Sequence, residues 1–242
     1  MTAPFLAGAP NFRDLGGYPT ADGRRRTRAG RLFRSDALHE LTAADLDALR
    51  ALGLATVIDL STPTEAARLG HAPLDVDVRS LNLSVSQDGM ARERPASLDL
   101  AERYVSYLDG GGPALVRALE EIATPEQLPL VFHCFFGKDR TGVLAALVLG
   151  CLGVDRRAII DDYALSSEGM RRLVERWGRD PVYRDTLERT PSALLAADPE
   201  TMDRFLLELE ERHGGARAWA RAAGVSTRHL DQLDQVLLED VG

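Results

Sequence analysis

The stretch from residue 130 to residue 154 constrains the fold more than any other. Residues 130–133, Leu-Val-Phe-His, read as a short apolar strand. A loop containing Gly137 follows, and an apolar helix is expected from about Thr141. The apolar run at 142–154 is 13 residues long, too short to cross a bilayer. Strand, loop and helix in that order belong to an α/β chain.

The flanking sequence repeats the alternation. A strand is expected at 31–35, and Thr42-Ala-Ala-Asp45 opens a helix that stops near Gly53. Residues 55–60 form a buried strand. Thr62-Pro-Thr-Glu65 then combines an N-cap, a proline at the first helical position and a glutamate at the third. Residues 76–83 alternate as a further strand, and 84–96 are a polar loop. Helices are expected at 98–109 and 113–123, parted by three glycines. Beyond Asp155 the pattern is helical almost to the end, punctuated by Pro181, Pro191 and Pro199. The expected fold is a central, mostly parallel sheet flanked by helices, in a single domain over 1–242, with a helical C-terminal third.

Composition limits what such a domain does. Asp and Glu outnumber Lys and Arg by 37 to 29, a formal charge of −8. That balance excludes general coating of nucleic acid or of an anionic membrane, so an anionic ligand needs a local arrangement. No signal peptide is visible at the N-terminus, and a cytoplasmic location is expected. The two cysteines, Cys134 and Cys151, make no disulfide framework, and no metal-ligand spacing exists. Among the basic residues only Lys138 is a lysine.

Chemistry concentrates in His133-Cys-Phe-Phe-Gly-Lys-Asp-Arg-Thr-Gly142. The spacing of Cys134 and Arg140 alone is weak. Arginine fills 28 of 242 positions, about one in nine, and Cys151 also has an arginine six residues on. Context separates the two cysteines. Cys134 ends an apolar strand and precedes a glycine loop and a helix N-terminus, where backbone N–H groups converge on a dianion and stabilise a thiolate. Arg140 can hold two phosphate oxygens with its planar fork. Thr141 is expected to donate its hydroxyl to the sulfur, and His133 to order the start of the loop. Cys151, inside an apolar helix, reads as a core residue.

That decapeptide resembles the signature loop of the cysteine-dependent protein tyrosine phosphatase superfamily. More narrowly, the chain is similar to the atypical bacterial and fungal tyrosine phosphatases, which include a mycobacterial type with a helical lid. Asn11-Phe-Arg-Asp-Leu-Gly-Gly-Tyr18, the stretches 31–38, 57–60 and 162–166, and the helices around Trp219 carry the wider likeness. Relatives often have arginine where this chain has Ser61.

The resemblance implies nucleophilic attack by Cys134 on a phosphotyrosine, a cysteinyl-phosphate, and hydrolysis without metal or cofactor. Catalysis would rest on Cys134, Arg140 and Asp139. Phe135, Phe136, Gly137, Lys138, Asp139, Arg140 and Thr141 would line the substrate. Asp139, Asp88 and Asp59 are the candidate general acids, and the resemblance favours Asp139. The Gly137-Lys138 pair is similar to the loop of phosphoinositide phosphatases, so phosphoinositides join phosphoserine and phosphothreonine as further substrates, with inorganic phosphate as a ligand. The bland reading of Lys138 is a solvated charge. Residues 155–190 are expected to form the lid.

Arg13 and Asp14, with Arg34 and Asp36, would brace the loop or pair with one another, while Tyr163 and Ser166 would pack. Three competing functions remain: a catalytically weak phosphate-binding pseudophosphatase, a rhodanese-like sulfurtransferase, and a DNA-binding helix-turn-helix around 223–230. The last lacks a basic footprint.

Overall fold

In a computed structural model, residues 3–70, 72–75, 77–85, 99–110, 112–180, 183–184, 187–188 and 190–241 are described. The main sheet contains β1 (Arg13–Asp14), β3 (Leu32–Ser35), β6 (Leu130–His133), β4 (Thr56–Asp59) and β5 (Arg79–Asn82), in that spatial order. Only β1 runs antiparallel to its neighbour. The central strand β6 sets His133 beside Ser35 on one flank and Asp59 on the other. Three strands therefore end at one level, and the loops leaving them share the edge at which parallel sheets bind ligands.

Side chains alternate across this sheet. Phe33, Val57 and Val131 face one side, where Leu49 of α1 (Ala43–Ala51) joins them. Leu32, Ile58, Leu130 and Phe132 face the other, in the larger cluster. That side carries α3 (Leu100–Gly110), α4 (Gly112–Ala123), α5 (Asp139–Cys151), α6 (Arg156–Trp177), α8 (Pro199–His213), α9 (Ala216–Ala222) and α10 (Thr227–Leu237). α5 is buried on every side, which explains its apolar sequence from Gly142 onward. α2 (Pro63–Leu69), the short α7 (Ser192–Leu195) and a 3-10 turn at Pro125–Gln127 are further helical elements. No helix among the described residues is long and apolar enough to cross a membrane.

Four details differ from the sequence reading. The strand expected at 76–83 is confined to β5, and Val76 lies outside the described residues. The helix expected from Thr141 begins at Asp139, because Lys138, next to the turn at Gly137, is already its N-cap. The charged Lys-Asp-Arg run broke the apolar pattern there, although an acidic residue in a first turn suits the helix dipole. The chain closes with a strand, β7 (Leu238–Asp240), paired antiparallel with β2 (Arg25–Thr27). Finally, the helix-turn-helix resemblance at 223–230 falls on the turn between α9 and α10 and the start of α10. α9 packs on α5, and α10 packs on α4 through a buried face of Leu230, Leu233 and Leu237. Its second helix is part of the core.

Candidate active site

Cys134 leaves the end of β6, buried and unpaired. The loop after it turns at Gly137, whose φ is +68°. A Cβ there would lie 2.4 Å from the Ser35 carbonyl oxygen and 2.5 Å from the Asp36 nitrogen. Only glycine meets both demands. Behind the loop, Asn11 Nδ2 donates to the carbonyls of Phe136 and Gly137, each at 3.1 Å. Arg34 Nη2 donates to the Gly137 carbonyl at 2.9 Å. In a trans peptide the N–H points opposite to the C=O. Holding these carbonyls from behind therefore turns the N–H groups of Gly137 and Lys138 toward the opposite, concave side. That is a cradle for an oxyanion.

Arg140 lies in the first turn of α5. Its Nη1 and Nη2 donate to the two oxygens of Glu65, at 2.5 and 2.9 Å. Burial would lower the guanidinium, but Cys134 and Glu65 together hold it more firmly charged than usual. Burial likewise raises Glu65, and Arg140 overrides it, leaving the carboxyl below its ordinary value. The same Glu65 closes the capping box of α2 with Thr62. The capping pattern was readable in sequence; the contact with Arg140, 75 residues away, was not.

Asp139 is held from two directions. Lys138 Nζ and the Tyr104 hydroxyl each donate to Oδ1 at 2.7 Å. Burial pushes this carboxyl up, yet the Lys138 charge and the two hydrogen bonds prevail and hold it below the ordinary aspartate value. Lys138 is wholly buried, so the solvated reading of it does not stand. Asp59 accepts from the Ser61 amide at 2.8 Å and lies 3.7 Å from His133 Nδ1. Asp88 lies outside the described residues. The Thr141 hydroxyl is buried without a hydrogen-bond partner among the described residues, so its expected bond to sulfur is not made. The Ser61 hydroxyl is buried in the same condition. His133 sits 3.4 Å from the Cys134 carbonyl, and burial lowers its pKa despite Asp59. A neutral imidazole therefore starts the loop.

The brace behind the cradle centres on Asp162, which the sequence did not single out. Arg13 Nε and Arg34 Nη1 pair with its two oxygens, at 2.8 and 2.5 Å. Burial raises Asp162, but Arg13 and then Arg34 bring it down to about 2. Ser166 Oγ accepts from Arg13 Nη2 at 3.0 Å, so this serine does more than pack. Asp14 and Asp36 are not the partners of these arginines. Asp14 accepts the amides of Gly16 and Gly30, and Asp36 accepts that of Asn11.

Burial pushes the Asp36 carboxyl up to about 7, from 3.8. The folded chain thus binds this proton more tightly than the unfolded chain. The stability contributed is full below about 3.8 and is lost as pH rises through about 7. Asp36→Asn should therefore lose less melting temperature than the parent between pH 5 and pH 8. Parallel melting curves would exclude the assignment.

Comparison with known proteins decides the family. The profile of the Tyrosine phosphatase family matches residues 4–239. The chain belongs to that family. It is 30% identical to the Triple specificity protein phosphatase PtpB of Mycobacterium tuberculosis, over 98% of this chain and 100% of that one. A Tyrosine-protein phosphatase of Nostoc commune is 29% identical, over 85% of this chain and 73% of its own length. Among solved structures, the core catalytic domain of the PP-IP phosphatase SIW14 from S. cerevisiae aligns over 72% of this chain and 91% of that one. Its identity is 17% and its TM-score 0.38.

In this tyrosine phosphatase the loop phenylalanines face helices. Phe135 and Phe136 stand edge to face at 4.8 Å, and Trp177 lies 5.0 and 5.7 Å from their centroids. Met170, Leu173, Tyr183 and Leu187 complete the cluster. The helix α6 thus has two halves. Ile159, Ile160 and Tyr163 belong to the main core, and Asp162 anchors the brace. Met170 onward packs on the loop. Cys151 is a buried residue of the main core, at the far end of α5 from the cradle, and burial pushes its thiol up to about 12. Among the described residues, no group of three His, Cys, Asp or Glu is placed to hold a metal ion.

Proposed function

We propose that this phosphatase hydrolyses phosphotyrosine in protein substrates through a cysteinyl-phosphate on Cys134. The observation that carries the reading is the loop itself: a buried cysteine followed by a turn whose Phe136 and Gly137 carbonyls Asn11 and Arg34 hold, with Arg140 close enough to feel the cysteine's charge. In the first step the sulfur–phosphorus bond forms, the phosphorus–oxygen bond to tyrosine breaks, and Asp139 gives its proton to the departing oxygen. Water then attacks phosphorus, returns a proton to the Asp139 carboxylate, and frees the thiolate and phosphate.

Asp139 rests as a carboxylate, so it must gain a proton when substrate binds. A phosphoryl dianion beside it supplies the push, because like charge raises a carboxylate pKa. It also competes for Lys138, whose ammonium is the largest force lowering that pKa. Release of Lys138 from Asp139 would place a cation near a second phosphate. Phosphoinositides are therefore proposed as further substrates beside phosphoserine and phosphothreonine, in line with the triple specificity in the name of the mycobacterial relative. Residues 170–177 of α6, with Tyr183 and Leu187, are proposed as part of the lid, a narrower unit than 155–190, since residues 156–166 are tied into the core and brace. Two unpaired cysteines and a thiol nucleophile suit a reducing cytoplasm.

The test of the acid is Asp139→Asn with aryl phosphates of graded leaving group. Acid catalysis contributes roughly 10²–10⁴-fold, so kcat should fall by about that factor for phenyl phosphate and far less for p-nitrophenyl phosphate. Equal losses on both would assign Asp139 a purely positional role.

A further inference from the structure

The hydroxyl of Tyr104 on α3 lies 2.7 Å from Asp139 Oδ1 and 2.8 Å from the hydroxyl of Tyr163 on α6. Both phenols are buried, at 0% and 1% exposure. A phenol has one proton to donate. With Tyr104 donating to Asp139, the bond between the two tyrosines must be donated by Tyr163. The chain of hydrogen bonds then runs one way, from Tyr163 to Tyr104 to the carboxylate. Packing alone would be met by phenylalanine at either position. The buried hydroxyls are kept in pairs.

Asp139 Oδ1 thus receives two donors, Tyr104 and Lys138. Its sibling Oδ2 receives none among the described residues, while the side chain keeps 18% of its surface open. A carboxyl oxygen already accepting two hydrogen bonds is a poor place for a proton. We propose that Tyr104 is a positioning residue for the general acid: it anchors Oδ1 so that the transferable proton sits on Oδ2, and Tyr163 fixes the direction of that anchor. The proposal rests on Asp139 being the acid.

The chain of bonds also sets acid strength. A hydrogen bond to the ionised carboxylate favours that form, so Tyr104 makes Asp139 the stronger acid. Several other groups act on Asp139 or stand beside it: Lys138, Arg140 and Cys134 from its own loop, Arg103 and Tyr107 from the same helix as Tyr104, and Tyr163. Tyr163 also feels Arg34 and Asp198. Among them Tyr104 is uncharged and touches the carboxylate directly, so Tyr104→Phe removes its bond while leaving every formal charge in place.

The experiment is the pH dependence of kcat for phenyl phosphate in the full-length protein. The alkaline limb reports loss of the acid's proton. Tyr104→Phe should move that limb upward by about one pH unit and lower kcat below it. Tyr163→Phe should move the limb the same way by less. In Asp139→Asn the limb should vanish, and adding Tyr104→Phe should cost nothing further. A limb that persists in Asp139→Asn overturns the assignment of the acid itself. A limb that vanishes in Asp139→Asn yet stays put in Tyr104→Phe overturns this proposal alone. Should Tyr104→Phe fail to fold, an unmoved limb in Tyr163→Phe is the overturning result.

Discussion

Cys134→Ser is expected to abolish turnover while leaving oxyanion binding intact. The two functions rest on different atoms. Bond making needs the sulfur, since a hydroxyl in the same place is a far weaker nucleophile without a base to activate it. Binding needs the amides of Gly137 and Lys138 and the fork of Arg140. Those are held by Asn11, Arg34 and Glu65, and none of these contacts involves the sulfur. Loss of an activated nucleophile typically costs on the order of 10⁴-fold or more. Assay of p-nitrophenyl phosphate beside calorimetric titration with inorganic phosphate separates the two. A serine variant that keeps more than about 1% of parental turnover is incompatible with a cysteinyl-phosphate. One that loses phosphate binding as well would mean that the sulfur shapes the cradle, against the contacts described.

What could be read from the sequence was what is contiguous. The strand, loop and helix at 130–151 declare themselves because apolar pattern, glycine and helix start follow one another, and Cys134 and Arg140 sit at fixed places in that run. Glu65 shows the limit. Its spacing from Thr62 announced a helix cap, which it forms, but nothing local announced that the same carboxylate also faces Arg140. Tyr104 and Asp162 escaped for the same reason. Tyr104 lies 35 residues from Asp139, and Asp162 lies 149 and 128 residues from the arginines it joins. Asn11 stood in a recognised motif, yet its side-chain bonds to the loop depend on the fold bringing the N-terminal segment behind β6. The short strands β1, β2 and β7 were missed on different grounds: two or three residues carry no period, and pairing alone makes them strands.

Arg140→Lys should be nearly as damaging as the loss of the nucleophile, and the contact with Glu65 explains why. The guanidinium has five N–H donors in a rigid plane. Two are directed at Glu65, one from each Nη, which leaves three for a phosphoryl group. Glu65 thereby fixes the plane of the fork before substrate arrives, and it is itself fixed by the cap of α2. A lysine ammonium is a single point of charge. Drawn to Glu65 it leaves the phosphate, and drawn to the phosphate it leaves a carboxylate beside the dianion uncompensated. Removing one preorganised donor to a developing charge costs roughly 10²–10³-fold, and Arg140→Lys disturbs at least two, so kcat/KM should fall by about 10³-fold or more. Glu65→Gln tests the orienting half of the argument. Its amide still reaches one Nη, so the loss should be about tenfold, expressed chiefly in KM. If Arg140→Lys keeps kcat/KM within about threefold of the parent, charge alone suffices at this position and the planar fork has no role.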